Sequence, residues 1–300
     1  MTRTSPPAEA VTRVAPLGIR FRDAATGTSV CDGLRVACRA TPGATPRTAG
    51  LSPSGTYVLR GLPLLGATER GDGSEQFWSD PPVSRSYPIE VTDGVGRYLP
   101  VRFDAAAPAR GLFTPAYRLP GTTGGRPPGP GVPLFSSPGR PVPSGTAVLR
   151  AQLARVPAPS EPASWAVLEV VVPHGPSAFG VADANGAVAV LFPYPELLVP
   201  DPAVPTAVTP PLSRQTWMLG LRAYLGPAPV VAGPRDVPDL AALLGQPPAR
   251  PLADAAGTPL VSVRLRYGRE LVVRTSGNSN LLISTDPVPV PPAVQGSPHA

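Results

Sequence analysis

The sequence predicts an all-β protein: two sandwich modules joined by a Pro/Gly-rich linker, with flexible tails and at most one short helix. Three observations lead there. Of 300 residues, 46 are Pro and 31 Gly, so prolines recur too often to leave many uninterrupted ten-residue windows for helices. Yet 42% of residues are hydrophobic and only 15% charged, and a chain this apolar buries enough surface to offset its ordering entropy. The apolar residues alternate with polar ones over short runs punctuated by Asp and Gly, the period of half-buried strands. At roughly 150 residues per domain the length allows about two domains.

The boundaries follow the composition. Residues 1–15 read as a flexible lead. In Gly18–Asp23, Ile19 and Phe21 oppose Arg20 and Arg22, a half-buried strand, and Asp23 to Gly27 supplies turn chemistry. Leu34–Ala40 alternates again, with Leu34, Val36 and Cys38 on one face, so Cys38 reads as a small core residue. Ser54-Gly55 turns into a strand over 56–61, 66–86 reads as a long loop, and Tyr87–Val91 pairs with Arg97–Asp104 across Asp93-Gly94. These strands make a first module over 16–104. Ala, Gly and Pro dominate 105–133, a linker or extended arm. A second β-rich domain spans 134–285. Its expected strands are Gly145–Leu153, Trp165–Val172 (buried on both faces), Ala178–Val181 and Ala187–Phe192 across a hairpin-type turn at Asp183–Gly186, and Gln215–Leu225. Leu260–Tyr267 and Glu270–Thr275 then pair across Gly268-Arg269, and Leu281–Thr285 closes the sheet. The one expected helix lies within 235–245, with Asp236 as N-cap, Pro238 in the first turn and Gly245 as terminator. Residues 286–300 form a Pro-rich tail of polyproline character.

The formal charge is +6, and all 26 basic residues are arginine. These arginines alternate with apolar residues instead of clustering, as on the solvent face of a strand, and no nucleic acid is expected as a partner. The two cysteines, Cys31 and Cys38, are too few for a disulfide-stapled scaffold; one bridge or two reduced thiols both fit. No apolar leader opens the chain, and no stretch approaches 18 uninterrupted apolar residues. The expectation is therefore a cytoplasmic protein with no spanning segment.

Chemistry-bearing patterns are sparse. Without lysine there is no Walker phosphate loop and no Schiff-base mechanism. His174 and His299 are the only histidines. His174, where a strand leaves its sheet, would need a nucleophile and an orienting carboxylate from distant loops to act as a base. Asp23, Asp32, Asp93, Asp183 and Asp236 stand beside turn residues, where local hydrogen bonding is their ordinary work. No catalytic, cofactor or metal site is expected, and a small-molecule ligand is not. Phe77-Trp78 in a polar loop is the contrasting feature, since exposed loop aromatics mark contact hot spots. Arg85, Arg97 and Arg110 are the candidate companions of such a contact surface.

Over Gly18–Leu62 the order is strand, Asp-x-x-Thr-Gly turn, a strand opening Gly-Leu-x-Val, then Ser-Gly-Thr-Tyr-Val-Leu-Arg-Gly-Leu. This resembles the carboxypeptidase regulatory-like domain, which implies a non-catalytic transthyretin-like sandwich. Gly96–Phe103 and Leu134–Pro143 resemble accessory proteins of phage-tail-like contractile injection systems, implying a structural piece of a particle assembled in the bacterial cytoplasm. The expected function is thus non-enzymatic binding of other protein subunits in a larger assembly. A carbohydrate- or surface-binding module built on Trp78 is the alternative, and a hydrolase a third.

Overall fold

The computed structural model describes residues 14–39, 45–80, 82–115, 119–120, 131–197, 211–227, 230–232 and 237–286. The expected lead and tail therefore lie outside the described residues save at their inner ends, as do Asp236, His299 and residues 116–118 and 121–130 of the expected linker. Nearly all regular structure is strand, so the protein is all-β. The chain divides into two compact units, one of residues 1–134 with 231–241 and the other of 135–230 with 242–300.

In the first unit one sheet runs in the order Leu112–Phe113, Leu17–Ile19, Tyr57–Leu59, Gly50–Leu51. A second runs Arg47–Thr48, Leu34–Cys38, Arg85–Asp93, Val101–Ala107. The expected strand Gly18–Asp23 breaks at Arg20. Leu17–Ile19 stays in the first sheet, while Phe21–Asp23 pairs with Val132–Leu134 and Ser29–Val30 in a third. Both halves keep the period of two, so Leu17, Ile19 and Phe21 all reach the core. There Phe21 meets Tyr57 and Phe103 edge-on at 5.3 and 6.4 Å, and Phe103 stacks on Phe113 at 5.6 Å. Each fully buried Phe contributes about 2 kcal/mol of transfer free energy.

The expected linker at 105–133 begins and ends inside this unit. The strand over 101–107 runs its full seven residues opposite Arg85–Val91, and Leu112–Phe113 and Val132–Leu134 pair in parallel with the two halves of the broken strand. Short runs such as Gly-Leu-Phe carry too few apolar residues to betray a strand until a partner supplies its ladder. A two-stranded ribbon, Val231–Ala232 with Val237–Pro238, also joins the unit, and Asp239 bridges Arg102 beside it.

The expected loop over 66–86 contains two one-turn helices, Gly66–Glu69 and Glu75–Ser79. Residues 64–80 hold no proline, and the Ser74 hydroxyl caps the second helix by accepting from the Phe77 amide at 3.2 Å. With the helix Leu240–Leu244 this makes three short α-helices among the described residues, where one was expected. That last one is shorter than expected, because Val237–Pro238 is taken up as strand.

Cys38 is a core residue, and both cysteines are unbridged. Cys31 is half-buried beside the Gly55 carbonyl. In native protein an aromatic disulfide reagent is expected to label Cys31 and to reach Cys38 only on unfolding; rapid native labelling of both thiols would contradict this burial.

The second unit is built on one nine-stranded sheet that curls until nearly closed. Its main path runs Ala178–Val181, Val167–Val171, Thr216–Tyr224, Pro248–Pro251, Leu281–Ser284, Thr146–Val156, Ala187–Pro193. Trp217, Leu219, Leu221 and Ala223 face inward in the alternation the sequence predicts, meeting Leu149, Leu153, Leu168, Val170 and Phe192. The Asp183–Gly186 turn forms, with Asp183 Oδ1 accepting from the Asn185 and Ala187 amides at 2.8 and 2.9 Å. Its two strands do not ladder, however: one pairs with Val167–Val171 and the other with Thr146–Gln152. A Cβ on Gly180 would lie 2.8 Å from the Ala189 carbonyl oxygen and from Val190 Cγ2, so the strands meet face on, and only glycine permits that approach.

Candidate functional site

Phe77 and Trp78 sit on the helix Glu75–Ser79, half-buried, their rings edge-to-face at 5.0 Å and 88°. Phe77 lies against Gly71, where an added Cβ would come within 2.5 Å of the ring. The helix is tied down twice. Asp72 accepts from the Ser74 amide at 3.0 Å ahead of the cap, and Glu75 forms an ion pair with Arg110. The hydrogen bonds from Ser74 hold the exposed Asp72 carboxyl below its ordinary range. Backbone pairing sets Arg85 opposite Ala107, three residues before Arg110. Phe77, Trp78 and Arg110 thus share one end of the first unit, and Arg85 marks the strand end that leads to it.

Arg97 is not there. It follows the opposite end of the strand Arg85–Asp93, about 26 Å away at ~3.3 Å per residue. Its guanidinium donates to Asp93 Oδ2 at 3.2 Å, to Asp32 Oδ1 at 3.1 Å and to the Asp32 carbonyl at 2.8 Å, and it lies over the Tyr98 ring at 5.3 Å. Its hydrogen bonds to Asp93 raise the Arg97 pKa further, against its partial burial. Burial alone would raise the Asp93 carboxyl; the Arg97 side chain and the Val95 and Arg97 amides outweigh it and hold the carboxyl below its ordinary value. This arrangement staples a turn.

The turn aspartates do local work. Asp23, buried, accepts from the Ala25 amide at 2.8 Å and from the Tyr98 hydroxyl at 3.3 Å. Asp254, which the sequence reading passed over, accepts from the Ala256 and Thr258 amides. His174 is exposed, at φ 56° in the turn after Val167–Val171. Among the described residues no group of three or more His, Cys, Asp or Glu could hold a metal ion, and no helix is long and apolar enough to cross a membrane.

One polar cluster was missed. Glu169, 2% exposed, accepts from the Tyr224 hydroxyl at 2.7 Å, with Arg222 at 3.6 Å. Burial, and then the bond and charge of Glu169, push the Tyr224 phenol well above its ordinary range. A lone carboxylate in Val-Leu-Glu-Val-Val was the available signal, since such a group is buried only with a partner. The buried carboxylate is partnered within the cluster by the Tyr224 hydroxyl and the Arg222 guanidinium, the latter itself largely exposed.

No family model matches this chain, and no curated protein does. Among solved structures the Bacillus anthracis TIE protein matches over 90% of this chain at 8% identity and a TM-score of 0.24. The chain spans 34% of that protein's length, and a likeness this slight carries no argument.

Proposed function

We propose that this chain is a non-enzymatic, protein-binding component of a larger bacterial assembly, and that it meets a neighbouring subunit through the end of the first unit carrying Phe77, Trp78 and Arg110. The observation that supports this is the half-exposed aromatic pair on a capped, ion-paired helix. Aromatic and arginine side chains dominate binding hot spots, and a pair already held in place loses little freedom on docking. The likeness of 18–62 to carboxypeptidase regulatory-like domains agrees with a non-catalytic role. The narrower reading, a contractile injection system, rests on the likenesses at 96–103 and 134–143.

The test is capture of the products of adjacent genes by the purified full-length chain. Phe77→Ala with Trp78→Ala is expected to weaken capture roughly 30-fold, the scale of a hot-spot loss. A chain that stays monomeric among those products removes the proposal. Sheath or baseplate subunits among the captured proteins would support the narrower reading. Glycan retention that Trp78→Ala alone abolishes would favour carbohydrate binding instead.

A further inference from the structure

The curled sheet of the second unit is bridged at one end and open at the other. Between the long strands Thr216–Tyr224 and Thr146–Val156, one end is filled by Pro248–Pro251 laddered to Leu281–Ser284. At the other end Ser262–Arg266 pairs with Thr216–Gly220, and Leu271–Val272 pairs with Leu149–Arg150. The sequence predicts a hairpin of these last two across Gly268-Arg269, but no ladder joins them.

The direction of the unpaired groups follows from the register. Leu221 donates to the Val261 carbonyl and Tyr267 to the Gln215 carbonyl, each at 3.0 Å. In an antiparallel ladder the bonded pairs alternate, so the odd-numbered residues of 261–267 bond to the odd-numbered residues of 215–221. Ser262 and Arg264 therefore turn their N–H and C=O groups to the other edge. Among the described residues nothing bonds them there, and both residues are exposed.

The edge is also strongly basic. Arg264 and Arg266 project from the outer face, and Arg266 Nε donates to the Ser213 carbonyl at 3.0 Å, which brings Arg214 alongside. Arg269 and Arg274 are exposed in the turn and just beyond it. Among the described residues none of these has a carboxylate partner; the nearby Glu270 is held by Arg150 at 3.2 Å. Between them lie exposed Val261, Met218 and Val272.

We propose that the Ser262–Arg266 edge takes an extended segment of another protein chain in which acidic residues alternate with apolar ones. Open amides and carbonyls recurring at every second residue match a strand's repeat. An added strand would set one row of its side chains beside Arg264 and Arg266, where carboxylates are favoured, and the other toward the apolar interior. The nearest aromatics, Trp217 and Tyr267, pack on Tyr194 and provide no stacking platform for nucleotide bases. This edge is separate from the Phe77–Trp78 surface and is assayed separately, so either reading can fail alone.

The probe is a short fluorescein-labelled peptide of alternating Glu and Val, titrated with the full-length chain and followed by fluorescence anisotropy. It is expected to bind, and R264E with R266E to weaken it roughly tenfold or more through two rim charges reversed. Ser262→Pro, which removes an edge amide but no ladder bond, is expected to weaken it similarly with an unchanged thermal transition. A peptide N-methylated at both its Glu and its Val amides keeps the charge and loses the ladder in either strand direction, and roughly tenfold weaker binding is expected. No binding by the parent peptide overturns the proposal, as does equal binding by the N-methylated peptide, by a Lys/Val peptide, or by an oligothymidylate.

Discussion

Replacing Gly186 with alanine is expected to destabilise the second unit by about 3–4 kcal/mol, combining backbone strain with a steric clash. Gly186 sits at φ 83°, where an L side chain is strained. A Cβ there would press into the Leu153 carbonyl oxygen and come within 3.2 Å of Pro162. The backbone cannot yield easily, because the Gly186 carbonyl accepts from the Leu153 amide at 2.8 Å. Gly257→Ala separates the two effects: φ is 91° but nothing lies within 4 Å of the added atom, so a cost of about 1 kcal/mol is expected from strain alone. Urea denaturation checks both, with midpoints moving and slopes constant. Equal costs at the two positions would show that the close approach to Leu153 contributes nothing.

Arg97→Ala is expected to cost about 2–3 kcal/mol by leaving a buried carboxylate short of its charged partner. The Asp93 side chain is inaccessible and accepts from the Arg97 and Tyr98 amides at 2.6 and 3.3 Å as well as from the guanidinium. The pH dependence has a definite sign. The folded carboxyl titrates below its ordinary value of 3.8, so its contribution is complete above that pH and is lost as pH falls through the lower folded value. In Arg97→Ala the carboxyl loses the interactions that lower it, and the fall in stability below about pH 4 is expected to flatten. Unfolding free energies measured from pH 2 to 7 decide the matter: an acid limb of the same steepness in both proteins would assign Arg97 no role in holding Asp93 charged.

What could be read in advance divides along physical lines. The strand over 216–224 was legible because its burial alternates with the pleat, and every second residue from Trp217 to Ala223 is apolar. Cys38 and the turn aspartates were legible because local chemistry decides them. The pairing of Ser262–Arg266 was not. Gly268 makes a good turn, but Leu265 and Val273 are both drawn into the core, and the strands settle on more distant neighbours. Phe77 and Trp78 stood out in a polar segment, whereas the partition of the arginines depended on which end of a nine-residue strand each one flanks. Glu169 announced a buried partner without naming one, since Tyr224 lies 55 residues away.

The return of residues 231–241 to the first unit bears on biogenesis. The ribbon there, and Asp239 beside Arg102 at the margin of Val101–Ala107, are translated only after most of the second unit's strands. A nascent chain emerging from the ribosome therefore cannot finish its N-terminal body before much of the other has been synthesised, and a fragment ending at 134 would lack its own final seam.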